Sequence, residues 1–402
     1  MTQNISHPPN PTLTNLANHA FSQDTLLDVH PSSEPLPLVS VIIPAYNAEA
    51  FIAETLESVL TQTYRHIEVL VVDDGSQDRT AEIVRRFADK DARVSLIQQA
   101  NAGVVASRNR AIQLAKGELI APLDADDIWM ADNLEKQVNC IRHADASVGV
   151  VYAWSFDIDE QSQPTGKFHA FTIEGSVYGT LLCHCFLSNA SSSLIRKTCF
   201  EKSGLYRTQK DLPQGCEDWD LYLRLAEFYE FKAVPSFLVG YRKHFNSMTN
   251  NAEVMARFLS LMWDSILDEY PKMPKLIYRI SNANFFLYLG WQSDLLGQSE
   301  SSLFWLRQSV KVGFFLPLVR PVFYIVLVKS LLCRWGLLSA QPNTPSPSST
   351  GPRSIPVATP SGSLQAPDEQ QWPVRMQTLM GNCLHWSIST FFGNPEPWKN
   401  AG

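Results

Sequence analysis

Nothing in the 402 residues reads Gly-x-Gly-x-x-Gly or Gly-x-x-x-x-Gly-Lys-[Ser/Thr]. The first absence removes a dinucleotide-binding turn and the second an NTPase phosphate loop, and with them the commonest dehydrogenase and NTPase chemistries. Positive charge is also short: 33 Lys and Arg stand against 40 Asp and Glu, for a net charge of −7. A nucleic-acid partner calls for a basic face, so none is expected. The seven cysteines, Cys140, Cys183, Cys185, Cys199, Cys216, Cys333 and Cys383, are scattered and odd in number. That fits a reduced cytoplasmic compartment better than a disulfide framework. Only Cys183-His184-Cys185 is dense enough to raise zinc; its spacing does not match paired knuckles, so it reads as a buried segment. The start, Met-Thr-Gln-Asn, has no basic stretch followed by an apolar core, and no secretory signal is expected.

Residues 1–37 are rich in Pro, Ser, Thr and Asn and are expected to be disordered. Order should begin at Leu38, where Leu-Val-Ser-Val-Ile-Ile43 has the look of a strand covered on both faces. A helical pattern from Phe51 to Leu60 follows, then the strand Ile67–Val72, a helix through Phe87, the strand Val94–Ile97 and a helix that Gly117 can end. Glu118–Leu123 reads as a strand, Trp129–Ile141 as a helix and Val148–Phe156 as a strand. Strands alternating with helices over this length imply right-handed βαβ units and an α/β fold with a mostly parallel, Rossmann-like sheet. The stretch Gly166–Asn189 shows no clear period. Farther on come a strand at Ser191–Arg196, a helix after Gly215 and a strand at Val234–Tyr241.

Ligands of open α/β sheets bind outside the carboxyl ends of the strands. Three such ends here are Pro44–Asn47, Asp73-Asp74 and Asp124–Asp127. At the last, three carboxylates fall in four positions with no basic residue beside them, a cluster that repels itself unless a cation arrives. An EF-hand loop beginning at Asp124 would need Gly where Trp129 stands. What remains is a site where the protein gives one or two carboxylates and the phosphates of a substrate complete the shell of Mg²⁺ or Mn²⁺.

Five segments together are specific: Val39-Ser-Val-Ile-Ile-Pro-Ala-Tyr-Asn47; Val71-Val-Asp-Asp-Gly-Ser-Gln-Asp-Arg-Thr80; Asn101-Ala-Gly103 with Ser107-Arg108-Asn109; Leu123-Asp-Ala-Asp-Asp127; and Glu217-Asp218. In this order and spacing the chain resembles the inverting family 2 glycosyltransferases over about 38–246. The resemblance implies a GT-A fold, a nucleotide-diphosphate sugar donor, most often UDP-linked, a divalent metal, and a glycan or lipid-linked hydroxyl acceptor, as in polysaccharide biosynthesis at the cell envelope. It places Pro44, Ala45 and Tyr46 at the base and ribose of the donor, with Asn47 also donor-binding and with Asp74 and the adjacent Asp73 reading the base. Arg108 would lie toward the pyrophosphate, and Asn101 and Gly103 would also be donor-binding. Asp124 and Asp126 match the family's D-x-D, Asp126 being the better metal contact and Asp127 a sugar or ribose partner. Asp218 matches the catalytic base, with Glu217 its neighbour. Arg242, Lys243 and His244 are candidates to add positive charge at the pyrophosphate. The rival readings are a non-catalytic nucleotide-sugar or glycan-binding module and a sugar nucleotidyltransferase.

These motifs set the expected domains: a catalytic domain over 38–250, a helical extension over 251–340, and a Pro/Ser-rich linker and tail over 341–402. Residues 312–332 are the most apolar part, but Pro317, Arg320, Pro321 and Lys329 cut them into runs short of the ~20 residues that span a bilayer. Packing onto the catalytic domain is the first expectation for them, and peripheral contact with the cytoplasmic face of a membrane the second.

Overall fold

The computed structural model describes residues 35–208, 215–243, 251–338, 364 and 366–392. By contact the chain divides into residues 1–36 and 37–402, and the architecture below is that of the second unit. The expected disorder over 1–37 and the placement of His244 lie outside the described residues, save for the last few positions of the former.

The strands are β1 (Val39–Ala45), β2 (Ile67–Asp73), β3 (Val94–Gln98), β4 (Leu119–Pro122), β5 (Ile128–Trp129), β6 (Val148–Ile158), β7 (Pro164–His169), β8 (Ser193–Arg196) and β9 (Glu230–Arg242). Among the described residues they form one sheet in the order β3-β2-β1-β4-β8-β6-β9-β5, with β7 pairing off this path to the Ser155–Ile158 end of β6. From β3 through β4 the pairing is parallel. Antiparallel joins follow at β4–β8, β6–β8, β6–β7 and β5–β9, while β6–β9 is parallel. The sheet is thus parallel from β3 through β4 and mixed beyond it.

Side chains alternate across a strand, and the two cores follow that period. Val39, Val41 and Ile43 of β1, with Val69 and Val71 of β2, face a layer made by α1 (Ile52–Leu60), α2 (Thr80–Ala88) and α4 (Asn133–Arg142). Ile42, Leu70 and Val72 point the other way, toward α3 (Val104–Leu114), α5 (Tyr178–Cys183), α7 (Glu217–Ala226), α8 (Ala252–Glu269) and α9 (Lys275–Leu295). The near-unbroken apolar runs of β1 and β2 reflect this double burial. Ser40, on the second face, is accommodated because its hydroxyl donates to Glu68 Oε1 at 2.6 Å. Beside it Gly117 makes a close approach: a Cβ there would fall 2.6 Å from both Leu38 O and Ser40 Oγ.

Two segments depart from the sequence expectation. Ile128 and Trp129 pair with Gly240 and Val239, so α4 begins only at Asn133 and not at Trp129. The stretch without a clear period holds β7, pairing with β6 across a bulge, and α5. The short helix α6 (Cys199–Ser203) follows β8. After α9 come α10 (Ser299–Gly313), α11 (Pro321–Arg334) and, inside the expected linker and tail, α12 (Trp372–Phe392). That last helix packs beside β6 and β7: Val374 and Ile388 are buried, Val374 among Trp154, Phe156 and Ala170, and Gln377 Oε1 accepts from Ala170 N at 2.7 Å.

Candidate active site

Parallel register brings the expected loops to one edge. Ala45 lies opposite Asp73, and Pro122 opposite Ile42, so the segments leaving β1, β2 and β4 emerge together. The first two are stitched into a unit. Asn47 N donates to Ser76 Oγ at 3.0 Å, Gln77 N to Asn47 Oδ1 at 2.9 Å, and Ala48 N to Thr80 Oγ1 at 2.8 Å. Asn47 holds φ 49°, a conformation Asn tolerates better than most residues. Its side chain is thereby committed to the protein, whereas Tyr46 stands exposed at the same rim and Pro44 and Ala45 are buried.

Asp73 and Asp74 are both buried and both hydrogen-bonded. Asp73 accepts from Ser76 N at 3.1 Å and from Gln98 Nε2 at 3.0 Å. Asp74 accepts from Ala102 N at 2.9 Å, Gly103 N at 2.7 Å and Gln99 Nε2 at 2.7 Å. It therefore holds the loop that opens α3, where a carboxylate also meets the positive end of the helix. Gly103 takes φ 90° there, and Asn101 on the same loop is exposed. A side chain already held by three protein donors serves the shape of the loop first.

Five residues into α3, roughly 7 Å along its axis, Arg108 gathers the acids. It is 2% exposed. Its Nη2 donates to Asp124 Oδ1 at 2.6 Å, and its Nη1 to Glu217 Oε1 at 2.8 Å and Asp218 Oδ1 at 2.9 Å. The Arg108 Cζ lies over the Tyr206 ring, 5.3 Å from its centre. One cation thus joins Asp124, 16 positions along the chain from it, to Glu217 and Asp218, 109 and 110 positions from it, and its partners outnumber it three to one. Burial opposes the charge on Arg108, but Asp218, Asp124 and Glu217 more than offset this and hold its pKa well above the ordinary value. No basic residue stands beside the Asp cluster in the sequence; the fold brings Arg108 to it as a cation.

The acids differ in their freedom. Glu217 is nearly enclosed, its second oxygen accepting from Gly215 N at 2.8 Å. Asp218 keeps 22% of its side chain open. Burial pushes Asp218 up to about 7, with Glu217 and Asp124 adding repulsion and Arg108 pulling the other way. Burial also raises Asp124; Arg108 opposes it and the nearby Asp126 reinforces it.

Asp127 is not placed as a sugar or ribose partner. It is 0% exposed; Ser191 Oγ donates to its Oδ2 and Arg242 N to its Oδ1 at 2.8 Å. Burial, then Asp126 and Asp124, push it well above the carboxylate range. Arg242 is likewise consumed: it donates to Asp126 O, Asp159 O, Ser162 Oγ and Glu54 Oε2, and lies over Phe51. Of the basic pair described here, Lys243 is the one whose charge faces Asp126, Asp127 and Asp157, its pKa lowered by burial against their pull.

Ser191 went unrecognised in the sequence, although it donates to Asp127 and accepts from Asp124 N at 3.1 Å. Its only sequence signal was a polar Asn-Ala-Ser-Ser-Ser run ahead of an apolar strand. In Cys183-His184-Cys185 the first residue is buried and the other two are half-buried, and burial lowers His184 to about 4. Among the described residues no group of three or more His, Cys, Asp or Glu is arranged to hold a metal ion.

Comparison with known proteins bears on the same residues. The description "Glycosyl transferase family 2" matches residues 40–202. An uncharacterized glycosyltransferase of Rickettsia typhi is 28% identical over 255 residues, 62% of this chain and 77% of that protein. Chondroitin synthase of Escherichia coli is 31% identical over 201 residues, 50% of this chain and 28% of that one. Among solved structures, residues 1–349 of TarS from S. aureus, in complex with UDP-GlcNAc, align with a TM-score of 0.51 at 17% identity, covering 78% of this chain and 98% of that one. This last likeness is one of fold.

Proposed function

We propose that this chain, whose residues 40–202 match the description "Glycosyl transferase family 2", moves a sugar from a nucleoside-diphosphate donor, UDP-linked in the first instance, to a hydroxyl of a glycan or lipid-linked acceptor, with inversion. The likeness to chondroitin synthase supports a place in polysaccharide biosynthesis. The observation that carries the chemistry is the convergence of Asp124, Glu217 and Asp218 on Arg108.

Inversion requires the acceptor oxygen to attack the anomeric carbon from the side opposite the departing nucleotide. The new C–O bond forms as the bond to the phosphate oxygen breaks, the leaving nucleoside diphosphate keeps the electron pair, and the acceptor proton must go to a base. Asp218 is that base: it is more open than Glu217 and, unlike Asp124, is not one of the two acids assigned to the metal, and a pKa near 7 lets its carboxylate accept a proton at neutral pH. Glu217 and Arg108 position it. The buried rim at Pro44 and Ala45, with Tyr46 exposed, would take the base and ribose, and Asp73 and Asp74 would shape that rim through the loops they hold.

The donor set fits a hard divalent cation. Asp124 spends one oxygen on Arg108, Asp126 adds a second carboxylate, and the local charge is in excess negative even with Arg108 counted. Asp124 and Asp126 would hold Mg²⁺ or Mn²⁺, which when bound supplies positive charge to the departing diphosphate.

Two measurements test this. Asp218→Asn should lower kcat on the order of 10²–10⁴-fold, while thermal stabilisation by the donor with Mn²⁺ persists. A panel of nucleotide sugars with and without Mn²⁺ should show one donor stabilising only with metal; stabilisation by none would sink the donor assignment. Release of a nucleoside diphosphate, not pyrophosphate, separates the reading from a nucleotidyltransferase.

A further inference from the structure

Helix α11 is apolar on two opposite sides. Inward, Phe323 and Val326 join Leu287 of α9 and Leu306 of α10, and Ser330 Oγ meets Ser302 Oγ at 3.0 Å. Outward, Tyr324 and Ile325, four and three residues before Val328, stand in solvent with it, Ile325 with 66% of its surface open. The turn before α11 presents Phe314 and Val319, 74% and 71% exposed, and Trp335 follows it. A helix apolar around its circumference belongs in a core or against lipid. Phe314 adds a backbone signal: it sits at φ 56°, a conformation that costs a bulky residue energy, yet its ring points into solvent.

Charge says what the face suits. From Ser301 to Ala340 the chain carries Arg307, Lys311, Arg320, Lys329 and Arg334 and no Asp or Glu, within a protein of net charge −7. Lys329 pairs with Asp294 and Arg334 with Glu300 on neighbouring helices, which still leaves a local excess of positive charge. A second copy of the same face would meet it with like charge. The following chain, 339–363, offers only Ile355 and Val357 as large apolar side chains, too few to cover the patch. Among the described residues no helix is long and apolar enough to cross a membrane.

We propose that the outer face of α11 and the turn at Phe314 form a docking surface for an anionic lipid bilayer, lying in its headgroup plane without spanning it. The apolar side chains enter the acyl boundary, and the basic residues meet lipid phosphates. The proposal rests on this face alone and not on the sugar-transfer chemistry.

Flotation of the full chain with phosphatidylcholine vesicles, with and without phosphatidylglycerol, tests it. Binding should need the anionic lipid and weaken in high salt. Ile325→Glu with Val328→Glu should cut vesicle binding about tenfold or more while leaving Tm unchanged, since both side chains are exposed. Phe314→Gly provides a readout a purely structural role would not give: it should lose vesicle binding while keeping or raising Tm, because glycine accepts that backbone without strain. No flotation with anionic vesicles, undiminished flotation of the variants, or a dimer seen by light scattering that the Glu pair disrupts would each overturn the proposal.

Discussion

Arg108 is the residue on which the acids depend. Replacing it by Met would leave Asp124, Glu217 and Asp218 enclosed without their shared cation, and removing one partner of a buried ion pair costs about 3–5 kcal/mol. A fall in denaturant midpoint of that size is expected, with activity lost as well. The pH dependence follows from Asp218. Its pKa is raised, so the carboxylate form that accepts the proton dominates only above about 7. The slope of kcat/KM with pH should therefore be positive on the acid side, approaching about tenfold per unit well below that value. A profile flat between pH 5.5 and 8, with chemistry rate-limiting, would remove Asp218 from the role of base. At this scale the sequence was readable in part. Asp124, Asp126 and Asp218 stand in recognisable motifs, but the partner of the first and last is a helix residue whose neighbours in the chain give no hint of burial. Asp127 and Arg242 looked like ligands because a carboxylate or guanidinium at a strand end is chemically the same whether it faces solvent or, as here, is saturated by Ser191, Glu54 and backbone groups.

Among the elements, β1 and β2 were legible because burial on both faces demands continuous β-branched residues, and α3 because its loop ends in Asn-Ala-Gly. The start of α4 was misjudged because Ile128 and Trp129 continue a helical apolar spacing, and only their pairing with β9 claims them for the sheet. Strand β7 is exposed along most of its length and α5 is buried nearly all round, so neither shows the half-and-half pattern on which periodicity rests. Two substitutions probe element contacts. Gly117→Ala would thrust a methyl against Leu38 O and Ser40 Oγ, costing about 1–3 kcal/mol, to be read as a lowered Tm. Asp74→Ala would free Ala102 and Gly103 N–H groups at the start of α3, costing about 1–2 kcal/mol and raising amide exchange at those two residues; unchanged exchange would show that the carboxylate does not hold the loop.

For the whole molecule, α12 shows how far the catalytic domain reaches past its motifs. Ending the chain after residue 338 removes buried Val374 and Ile388 and the hydrogen bonds at Ala170, and should cost roughly 3–6 kcal/mol from side-chain burial alone. Calorimetry of the shortened chain measures it. The sequence left this helix unread because its own pattern is weak and its partners, Ala170 and Thr180, lie about 200 positions earlier. Strand order carries a consequence for how the protein is made. Since β8 lies between β4 and β6, the ribosome releases a four-stranded parallel half whose β4 border stays bare until residue 196 has emerged. That border is a template for mispairing during synthesis, and a nascent chain stalled before β8 should be the one that molecular chaperones hold longest.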